Sequence, residues 1–314
     1  MPELPEVETT ISGLKSKVLF RTFDDVWSDW EKIVKKPKNF NLFKKEIKGK
    51  KIKKVWRRAK NIIFDLSGGY SLLMHQKMTG HLLIGNWKEP YGESACGRQM
   101  EIGNWEPLKR GALEDPVNRY IHLMFWLSGD LMLALSDLRK FAKVELWKTE
   151  ELLNSADFKK LGLEPLEKDF TFKKFKDILK NKKARLRSHG ASARRGKIKQ
   201  VLMDQNVIAG IGNIYSSEAL WEAKIHPEKD VSKLSAEELK KLYEAIKKVL
   251  TLGIKLGGES FSDYRKVDGS KGDFDTERKA YQRENQKCQR CDTLIERLKF
   301  GGRSAFFCPV CQKK

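Results

Sequence analysis

Two segments of this 314-residue chain carry residue types that could do chemistry. Near the amino end, Pro2 follows the initiator methionine, and a small second residue permits that methionine to be removed. Removal would expose a secondary amine, which can attack an aldehyde-level carbon and form an iminium ion that acts as an electron sink. Glu3 is the adjacent carboxyl group and could exchange protons with such a substrate. Taken alone, Met-Pro-Glu can begin any protein, so these residues need further support.

The other segment lies at the carboxyl end, where four of the five cysteines form two CxxC pairs. Cys288 and Cys291 are separated by residues 292–307 from Cys308 and Cys311, which is the spacing of a closed four-thiolate zinc site. Sulfur then occupies every ligand position, so the predicted zinc is structural and leaves no place for a catalytic water. The remaining cysteine, Cys96, stands alone, and a disulfide framework is not expected.

The residues between the cysteine pairs predict a β-hairpin. Ile295 to Phe300 and Arg303 to Phe307 are strand-like runs joined by Gly301-Gly302, whose glycines accept positive φ. This arrangement places Arg303 beside the hairpin tip. Such a tip could insert into a DNA groove, or the zinc ribbon could serve only to stabilise the end of the chain. Both interpretations stay open at this point.

The charge balance restricts the class of partner. Lys and Arg number 63 against 42 Asp and Glu, which gives a net charge of +21 and a pI of about 9.6. Nucleic acid is the leading candidate for a partner, although a merely soluble basic protein has the same composition. No apolar run approaches the ~20 residues that span a bilayer and no secretory signal is recognisable, so we expect a cytoplasmic protein without a membrane partner.

A helix is predicted directly after the first proline. Apolar residues recur at helical spacing at Val7, Ile11, Leu14 and Val18, and carboxylates stand near the start, where a helix dipole favours them. The pattern predicts an amphipathic helix over residues 4–17.

The rest of the chain divides into a β-rich and a helical part. Short strand-like runs dominate from about residue 44 to 145, and residues 86–118 predict a long surface loop inserted between strands. After a connector at residues 161–166 the pattern is helical to about residue 257, and Ser235-Ala236-Glu237-Glu238 has the form of a helix capping box.

Residues 1–9, Met-Pro-Glu-Leu-Pro-Glu-Val-Glu-Thr, resemble the N-terminal signature of the formamidopyrimidine-DNA glycosylases. Leu4 favours the branch that removes oxidised purines, since endonuclease VIII relatives typically carry glycine at that position. The resemblance recurs in the family's order at further places, which are Arg57-Arg58-Ala59-Lys60, His75 through Gly80, residues 197–221 and the terminal cysteine motif.

The resemblance implies a catalytic role for each matching residue. Pro2 is the Schiff-base nucleophile that attacks C1′ of the damaged nucleotide, and Glu3 is the proton donor and acceptor that helps open the deoxyribose. Lys60 contacts phosphate near the lesion and acts as a proton donor. Arg303 also contacts phosphate and donates the proton for δ-elimination.

The resemblance also implies a set of DNA-binding residues. Met78 fills the gap that the extruded base leaves, Arg139 faces the orphaned base and Phe141 acts as an aromatic wedge; without the surrounding motifs, Met78 and Phe141 would be assigned to core packing. Lys199 and Asn213 are expected to hold phosphates that flank the flipped nucleotide. His75, in the strand that leads to Met78, completes the predicted set.

Two segments depart from the family pattern. Leu138, Lys140 and Ala142 replace residues of the usual Asp-Pro-Arg-Arg-Phe-Gly, which softens the rigidity expected of that loop. Residues 267–287 correspond to the family's flexible loop over the extruded base, but residues 282–286 lack the glycine-bearing turn that relatives often have.

The implied fold is a multidomain α+β protein. Residues 1–148 form an N-terminal catalytic β-sandwich with the catalytic helix packed on it, and residues 149–168 form a linker. Residues 169–262 form a helix-two-turn-helix DNA-binding domain, and residues 263–314 carry the lesion loop and a C-terminal zinc-finger hairpin. DNA is expected to bind in the cleft between the domains.

The implied function is base excision repair of oxidised purines, namely 8-oxoguanine and formamidopyrimidines, in double-stranded DNA. Cleavage of the N-glycosidic bond through a Schiff base is followed by AP lyase cleavage of the strand through β,δ-elimination, with one structural Zn²⁺ as cofactor. We expect a monomer, associated with the nucleoid in a prokaryote. The alternatives are an endonuclease VIII-like glycosylase for oxidised pyrimidines, which Leu4 disfavours, and a non-catalytic zinc DNA-binding protein, which an intact Pro2, Glu3 and Lys60 disfavour.

Overall fold

The computed structural model describes residues 1–88, 105–188, 196–261, 263–300 and 302–314. Residues Met1–Lys159 and Leu256–Asp273 form one compact unit, and residues Lys160–Lys255 and Phe274–Lys314 form the other. No helix in the described ranges combines the length and the apolar character needed to cross a membrane.

The first unit is a β-sandwich with a helix against it. One sheet has the strand order β1-β9-β10-β6, and the other has the order β2-β11-β5-β4-β3, in which only β2 and β11 pair in parallel. Its helices and strands are α1 (Leu4–Val18), β1 (Phe23–Trp27), β2 (Val34–Lys36), α2 (Phe40–Ile47), β3 (Ile52–Arg58), β4 (Asn61–Leu66), β5 (Tyr70–His75), β6 (His81–Gly85), β7 (Trp87–Lys88), β8 (Glu106–Pro107), β9 (Ile121–Leu127), β10 (Leu131–Ser136), β11 (Lys143–Lys148), α3 (Thr149–Asn154) and α4 (Ala156–Lys159).

Alternation along the strands builds the core of this unit. In β10, Leu133 and Leu135 join the central apolar cluster, whereas Met132 and Ala134 belong to a separate cluster. The apolar face of α1 joins the central cluster through the residues predicted at helical spacing, and the helix ends one residue later than predicted, at Val18. The sequence therefore predicts both the sandwich and its helix correctly.

The two described ends of the 86–118 segment, residues 86–88 and 105–118, pack against the sandwich. Trp87 and Trp105 are each 5% exposed and pack with Met132 and Ala134, and the partly buried Leu113 lies against the same cluster. Burial of this size is worth about 25 cal/mol for each Å² of apolar surface removed from water. The prediction of a surface loop is wrong for the described ends of this segment, because they carry large apolar side chains that cover a sheet face. Cys96 lies outside the described residues.

The predicted linker at residues 149–168 is divided between the two units. Thr149 donates its backbone N–H to the Gly69 carbonyl oxygen at 2.9 Å, and Leu152 packs against the first unit's outer sheet face. Gly162 donates its N–H to the Gln205 carbonyl oxygen at 2.8 Å, and Ala209 donates to the Leu163 carbonyl oxygen at 2.8 Å. Both ends of the predicted linker are therefore held by hydrogen bonds, one end to each unit.

Residues 256–273, here called the return segment, come back to the first unit after the long C-terminal helix of the second. Val267 accepts a hydrogen bond from Ile84 N–H at 2.7 Å, and its side chain lies so close to Gly13 that a Cβ there would approach it to 2.5 Å. Arg265, which is 4% exposed, donates two hydrogen bonds to the Asp115 carboxylate at 2.9 and 3.2 Å. The return segment, which includes the first part of the predicted flexible loop, is therefore anchored in the first unit.

The second unit is mainly helical and ends in a hairpin. Its elements are α5 (Phe172–Ser188), α6 (Ile198–Met203), α7 (Asn213–Glu222), α8 (Ala236–Lys255), α9 (Phe274–Glu277), β12 (Glu296–Phe300) and β13 (Arg303–Phe307). Ser235 N–H donates to Glu238 Oε2 at 2.9 Å, and Glu238 N–H donates to Ser235 Oγ at 3.1 Å, which confirms the capping box. The hairpin is confirmed with Phe300 paired to Arg303.

Removal of the Asp115 carboxylate should destabilise the first unit. Asp115→Ala removes the carboxylate that pairs with the buried Arg265 guanidinium, and we expect a loss of about 3 kcal/mol, at the low end for a buried pair because Asp115 is partly exposed. Thermal unfolding should show a melting temperature lower by about 6 °C or more. The exposed Asp24, changed to Ala, is the control and should leave the melting temperature unchanged.

The same ion pair makes the stability of the first unit depend on pH in the acidic range. Burial alone would raise the pKa of Asp115, but the hydrogen bonds from Arg265 and Val117 N–H outweigh burial and lower it. A lowered folded-state pKa stabilises the fold above the unfolded value of about 3.9, and this contribution disappears as the pH falls through the folded-state pKa. The difference in melting temperature between the native chain and Asp115→Ala should shrink over that acidic range; a constant difference would contradict this assignment.

Candidate active site and metal centre

The start of α1 buries the predicted nucleophile and its neighbouring acid. Pro2 is buried and Glu3 is 1% exposed. Glu3 donates its backbone N–H to Glu6 Oε2 at 2.7 Å, while its carbonyl oxygen accepts from Val7 N–H at 3.1 Å. A carboxylate in the first turn is favoured by the helix dipole and satisfies an N–H that the helix leaves without a partner. This capping fixes the backbone that follows Pro2.

Glu6 also holds the return segment, a role that the sequence analysis missed. Its other carboxylate oxygen, Oε1, accepts from Glu259 N–H at 2.8 Å, and its carbonyl oxygen accepts from the Tyr264 hydroxyl at 3.1 Å. Gly258 has a φ of +84° and would place a Cβ 2.9 Å from Glu6 Cγ, so glycine is required for this close approach. The signal in the sequence was the acid at the third helical position, which was assigned only to the helix dipole.

The chain terminus lies in an environment that favours an uncharged amine. Burial is the largest effect and lowers the pKa of the amino group on Met1. The negative charges of Glu3 and Glu6 raise that pKa, the positive charge of Lys60 lowers it, and the net result is a lowered pKa. Burial thus outweighs the neighbouring carboxylates, and an amino group at this end of α1 loses its proton more readily than one in water.

Lys60 reaches this end of α1 from a tight hairpin. It is 6% exposed and lies in the two-residue turn between β3 and β4, where Arg58 pairs with Asn61. Ala59, the other turn residue, has a left-handed φ of 54°, a conformation that costs an ordinary residue about 1–2 kcal/mol. The Arg57 guanidinium donates to the Glu8 carboxylate at 3.0 Å and joins this strand to the helix. The charges of Glu3 and Lys60 both act on the amino group next to Pro2, and the catalytic roles of the three residues stay a prediction.

His75 stands at the end of β5 as a neutral side chain. Burial, and then the positive charges of Lys77 and Lys60, lower the pKa of His75 to about 3. Its Nδ1 accepts from Lys77 N–H at 2.9 Å, so the proton of the neutral ring is assigned to Nε2. His75 can donate one neutral hydrogen bond, but it adds no positive charge for a phosphate.

Two loops present the residues predicted to enter the DNA. Met78 is 41% exposed and Phe141 is 51% exposed, so neither belongs to the core of its unit. The Arg139 guanidinium lies 4.5 Å from the centre of the Phe141 ring. Such stacking restricts both side chains to a common direction. The three side chains are available for contact with a partner.

The buried Asp137 carboxylate joins these two loops. It accepts from Phe141 N–H at 2.7 Å, from Ala142 N–H at 2.7 Å and from Arg139 N–H at 3.3 Å, and the Thr79 hydroxyl, next to Met78, donates to it as well. These bonds hold the loop in place although proline and glycine of the family pattern are replaced there. The softening expected from those replacements is therefore offset by charge-assisted hydrogen bonds.

In the second unit, a compact turn joins α6 to α7. Gln205 donates to the Ile211 carbonyl oxygen at 2.7 Å and accepts from Gly210 N–H at 2.9 Å, which closes the turn ahead of Asn213, the first residue of α7. Arg303, exposed beside the hairpin tip, directs a guanidinium nitrogen to Met203 Sδ at 3.8 Å. The structure thus places Arg303 beside the helix-two-turn-helix that carries Asn213.

Lys199, predicted to contact phosphate, lies inside the second unit next to the start of α7. Its side chain is fully buried, and its ammonium group donates to the Asn213 carbonyl oxygen at 3.1 Å, to Ser216 Oγ at 3.0 Å and to Ser217 Oγ at 2.7 Å. An ammonium group has three protons to donate, so these partners engage all of them. Lys199 therefore supports the first turn of α7 from inside the fold, and the phosphate contact expected of it stays a prediction.

The four cysteines of the terminal motif meet at one point. Their Sγ atoms all lie within 4.8 Å of one another, and Cys291 Sγ is 3.4 Å from both Cys308 Sγ and Cys311 Sγ. Zinc–sulfur bonds of about 2.3 Å in a tetrahedron require sulfurs roughly 3.8 Å apart, so the arrangement fits a structural Zn²⁺. Zinc would hold β12 and β13 on the rest of the ribbon and supply no reactive water.

A buried carboxylate attaches the zinc ribbon to the helical part of its unit. Glu218 in α7 accepts from the backbone N–H groups of Lys279, Ala280 and Tyr281 at 2.8, 3.0 and 2.7 Å. Burial raises the pKa of Glu218, and these hydrogen bonds partly oppose the rise. No pattern in the sequence indicated this role of Glu218, because an isolated glutamate does not reveal contacts with backbone groups 60 or more residues away.

Comparison with known proteins agrees with this geometry along the whole chain. Residues 1–144 match the formamidopyrimidine-DNA glycosylase N-terminal domain, residues 161–265 match the formamidopyrimidine-DNA glycosylase H2TH domain, and residues 285–314 match the zinc finger found in FPG and IleRS. The formamidopyrimidine-DNA glycosylase of Pelotomaculum thermopropionicum is 36% identical, with 100% of this chain and 99% of that protein covered. The chain belongs to the formamidopyrimidine-DNA glycosylase family. It is therefore a DNA-repair glycosylase with a structural zinc finger.

Solved structures of the family have the same fold. A crystal structure of a Lactococcus lactis FPG variant in complex with Fapy-dG-containing DNA has a TM-score of 0.81 at 32% identity and covers 100% of both chains. A structure of MutM in complex with carbocyclic 8-oxo-G-containing DNA has a TM-score of 0.79 at 32% identity, again with 100% of both chains covered. The α+β architecture expected from the sequence is confirmed.

Loss of one zinc ligand should unfold the ribbon. Cys308 is fully buried, so in Cys308→Ser we expect the zinc content to fall from one ion to almost none per chain. Structural zinc contributes on the order of 10 kcal/mol to such folds, so the ribbon should become susceptible to protease. Elemental analysis and limited proteolysis measure both effects. Cys96→Ser, outside the motif, is the matched control, and equal zinc in the two variants would disprove the assignment.

Asp137 should control the local stability of the loop that carries Phe141. Asp137→Asn removes a charge-assisted acceptor, and each such bond is worth about 1.5–3 kcal/mol. Amide hydrogen exchange at Phe141 and Ala142 should therefore accelerate by about tenfold to a hundredfold, at about 1.4 kcal/mol for each factor of ten. Asp130→Asn, in an exposed turn, is the control. Unchanged protection in Asp137→Asn would show that the loop is held by other contacts.

Proposed function

We propose that this enzyme removes oxidised purines, such as 8-oxoguanine and formamidopyrimidines, from double-stranded DNA and then cuts the strand at the abasic site. The observation that carries the proposal is the burial of the chain terminus at the start of α1, beside Glu3 and Lys60, where the pKa of an amine is lowered. A nucleophilic amine with an acid beside it is what imine chemistry at a sugar carbon requires.

The reaction begins only after Met1 is removed, because the nitrogen of Pro2 is otherwise an amide without nucleophilic character. The freed secondary amine attacks C1′, and the glycosidic bond breaks with its electron pair leaving on the base. The proton lost by the amine balances the proton that the departing base takes up. Glu3 then protonates the ring oxygen O4′ as its bond to C1′ breaks, which leaves an iminium ion between C1′ and Pro2.

The iminium ion accounts for strand cleavage. It acidifies the C2′ proton, and loss of that proton pushes out the 3′ phosphate with its electron pair. A further elimination expels the 5′ phosphate, for which Arg303 donates a proton. Lys60 contacts phosphate near the lesion and serves as a proton donor. Each of these assignments follows the family resemblance.

Binding of damaged duplex is supported by the exposed side chains of both units. We assign Met78, Arg139 and Phe141 to the space left by the extruded base, with His75 as a neutral hydrogen-bond donor. Asn213 and Arg303 hold phosphate from the second unit. The Lactococcus lactis Fpg is solved in complex with an abasic-site-containing DNA, which lacks the base as the DNA does after the first step proposed here. We propose that a monomer carries out the whole reaction.

Borohydride reduction tests the imine and the substrate together. A duplex with 8-oxoguanine opposite cytosine should give a covalent adduct that peptide mapping assigns to Pro2. Two variants serve as controls. A chain extended by Gly-Ser before Pro2 converts the nucleophile to an amide and should give no adduct. Glu3→Gln should lose base excision but still form the adduct with a preformed abasic site.

The outcomes separate the parts of the proposal. An adduct only with an oxidised pyrimidine would retain the mechanism and replace the lesion assignment by that of an endonuclease VIII-like enzyme. An adduct mapped to Lys60 in the extended chain would transfer the nucleophile to that lysine. Absence of any adduct with both lesions and with an abasic site would contradict the imine mechanism.

A further inference from the structure

A strongly basic surface covers the end of the first unit that lies away from the catalytic residues. Residues 48–54 contain five lysines and no acidic residue. We call this surface the basic pole. Its members are Lys48, Lys50, Lys51, Lys53 and Lys54, together with the aromatic residues Phe20 and Tyr70. Among the described residues, none of these lysines has an ion-pair partner within 4.0 Å, whereas the nearby Lys44 pairs with Asp25 at 2.9 Å.

Aromatic rings hold several of these ammonium groups in place. Lys50 Nζ lies 3.6 Å from the centre of the Tyr70 ring, and Lys148 Nζ lies 3.8 Å from the same ring. Lys51 Nζ is 5.8 Å from the ring of Phe20, which is itself 68% exposed. Contact with a ring limits the freedom of a long side chain, so less entropy is lost when the ammonium group meets an anion.

The basic pole and the reactive amine lie at opposite ends of α1. The helix runs antiparallel to β3, because Arg57 at the end of the strand contacts Glu8, whereas Phe20 N–H donates to the Ile52 carbonyl oxygen at 2.9 Å at its beginning. Fifteen helical residues at about 1.5 Å each separate the two ends by roughly 22 Å. The basic pole is therefore separate from the surface at Pro2 that receives the lesion.

We propose that the basic pole binds the phosphate backbone of a second segment of double-stranded DNA while the catalytic end holds the first. This inference rests on the proposed function, since it takes duplex DNA as the substrate. Lysine ammonium groups at the start of the edge strand β3 and in the segment before it can bind phosphates and carry no sequence preference. Two DNA segments held by one chain would let the enzyme pass between them without full release.

Charge reversal at the basic pole tests the proposal. The variant changes Lys50, Lys51 and Lys53 to Glu, and the charge-matched control changes the exposed Lys168, Lys233 and Lys240 to Glu. The catalytic end of the full-length, zinc-loaded protein is first saturated with a duplex that contains a non-cleavable abasic-site analogue. Fluorescence anisotropy then follows the binding of a labelled, undamaged duplex over a range of salt concentrations.

The native protein and the control should bind the labelled duplex, and the basic-pole variant should not. If residual binding is measurable, its log affinity should depend on log salt less steeply by about 2.7, at about 0.9 for each phosphate that a lysine no longer neutralises. Single-turnover cleavage of a lesion duplex should be unchanged in both variants, which also shows that they fold. A Lys→Gln version of the same triple variant provides the test if the Glu version is unstable.

Other results would overturn the inference. No second duplex on the native protein, or equally weakened binding in the variant and the control, would leave the basic pole as a solvated surface. Binding of phosphatidylserine vesicles in place of the duplex would make it a membrane-directed surface. In each case normal cleavage of the lesion duplex preserves the proposed function, whereas failure to cleave it contradicts the function itself.

Discussion

The Glu6 carboxylate is the interaction on which the reactive end of this protein depends. One of its oxygens accepts from the backbone that follows Pro2, and the other accepts from Glu259 in the return segment. Both bonds are buried, so neither oxygen can exchange its partner for water without losing a charge-assisted hydrogen bond. The helix start, the nucleophile and the return segment are thus held by a single side chain.

Buried carboxylates serve the same purpose elsewhere in the molecule. Asp137 gathers backbone N–H groups of the loop that presents Arg139 and Phe141, and Glu218 gathers three N–H groups ahead of the zinc ribbon. In each case an acid within a regular element, or directly after one, organises an irregular segment nearby. A basic chain therefore uses several of its acids inside the fold, which leaves more of its positive charge on the surface for DNA.

The parts of the fold that could be predicted from sequence are those that local patterns determine. Helical spacing located α1, the cysteine spacing located the zinc centre, and the paired glycines located the hairpin, because each depends on residues close together in the chain. The burial of Lys199 and the course of the return segment depend on contacts between distant residues, which no local pattern encodes. The family resemblance predicts a phosphate contact for Lys199 but not its internal hydrogen bonds, since a motif identifies a residue type without its surroundings.

The bond between Glu6 and Glu259 joins residues 253 positions apart. During synthesis on the ribosome the amino-terminal helix emerges first, yet the partner that completes its reactive end emerges only when most of the chain has been made. A nascent or truncated chain would carry the nucleophile on an unfinished support. The order of synthesis thus delays assembly of the reactive end until both the sandwich and the helical unit have been translated.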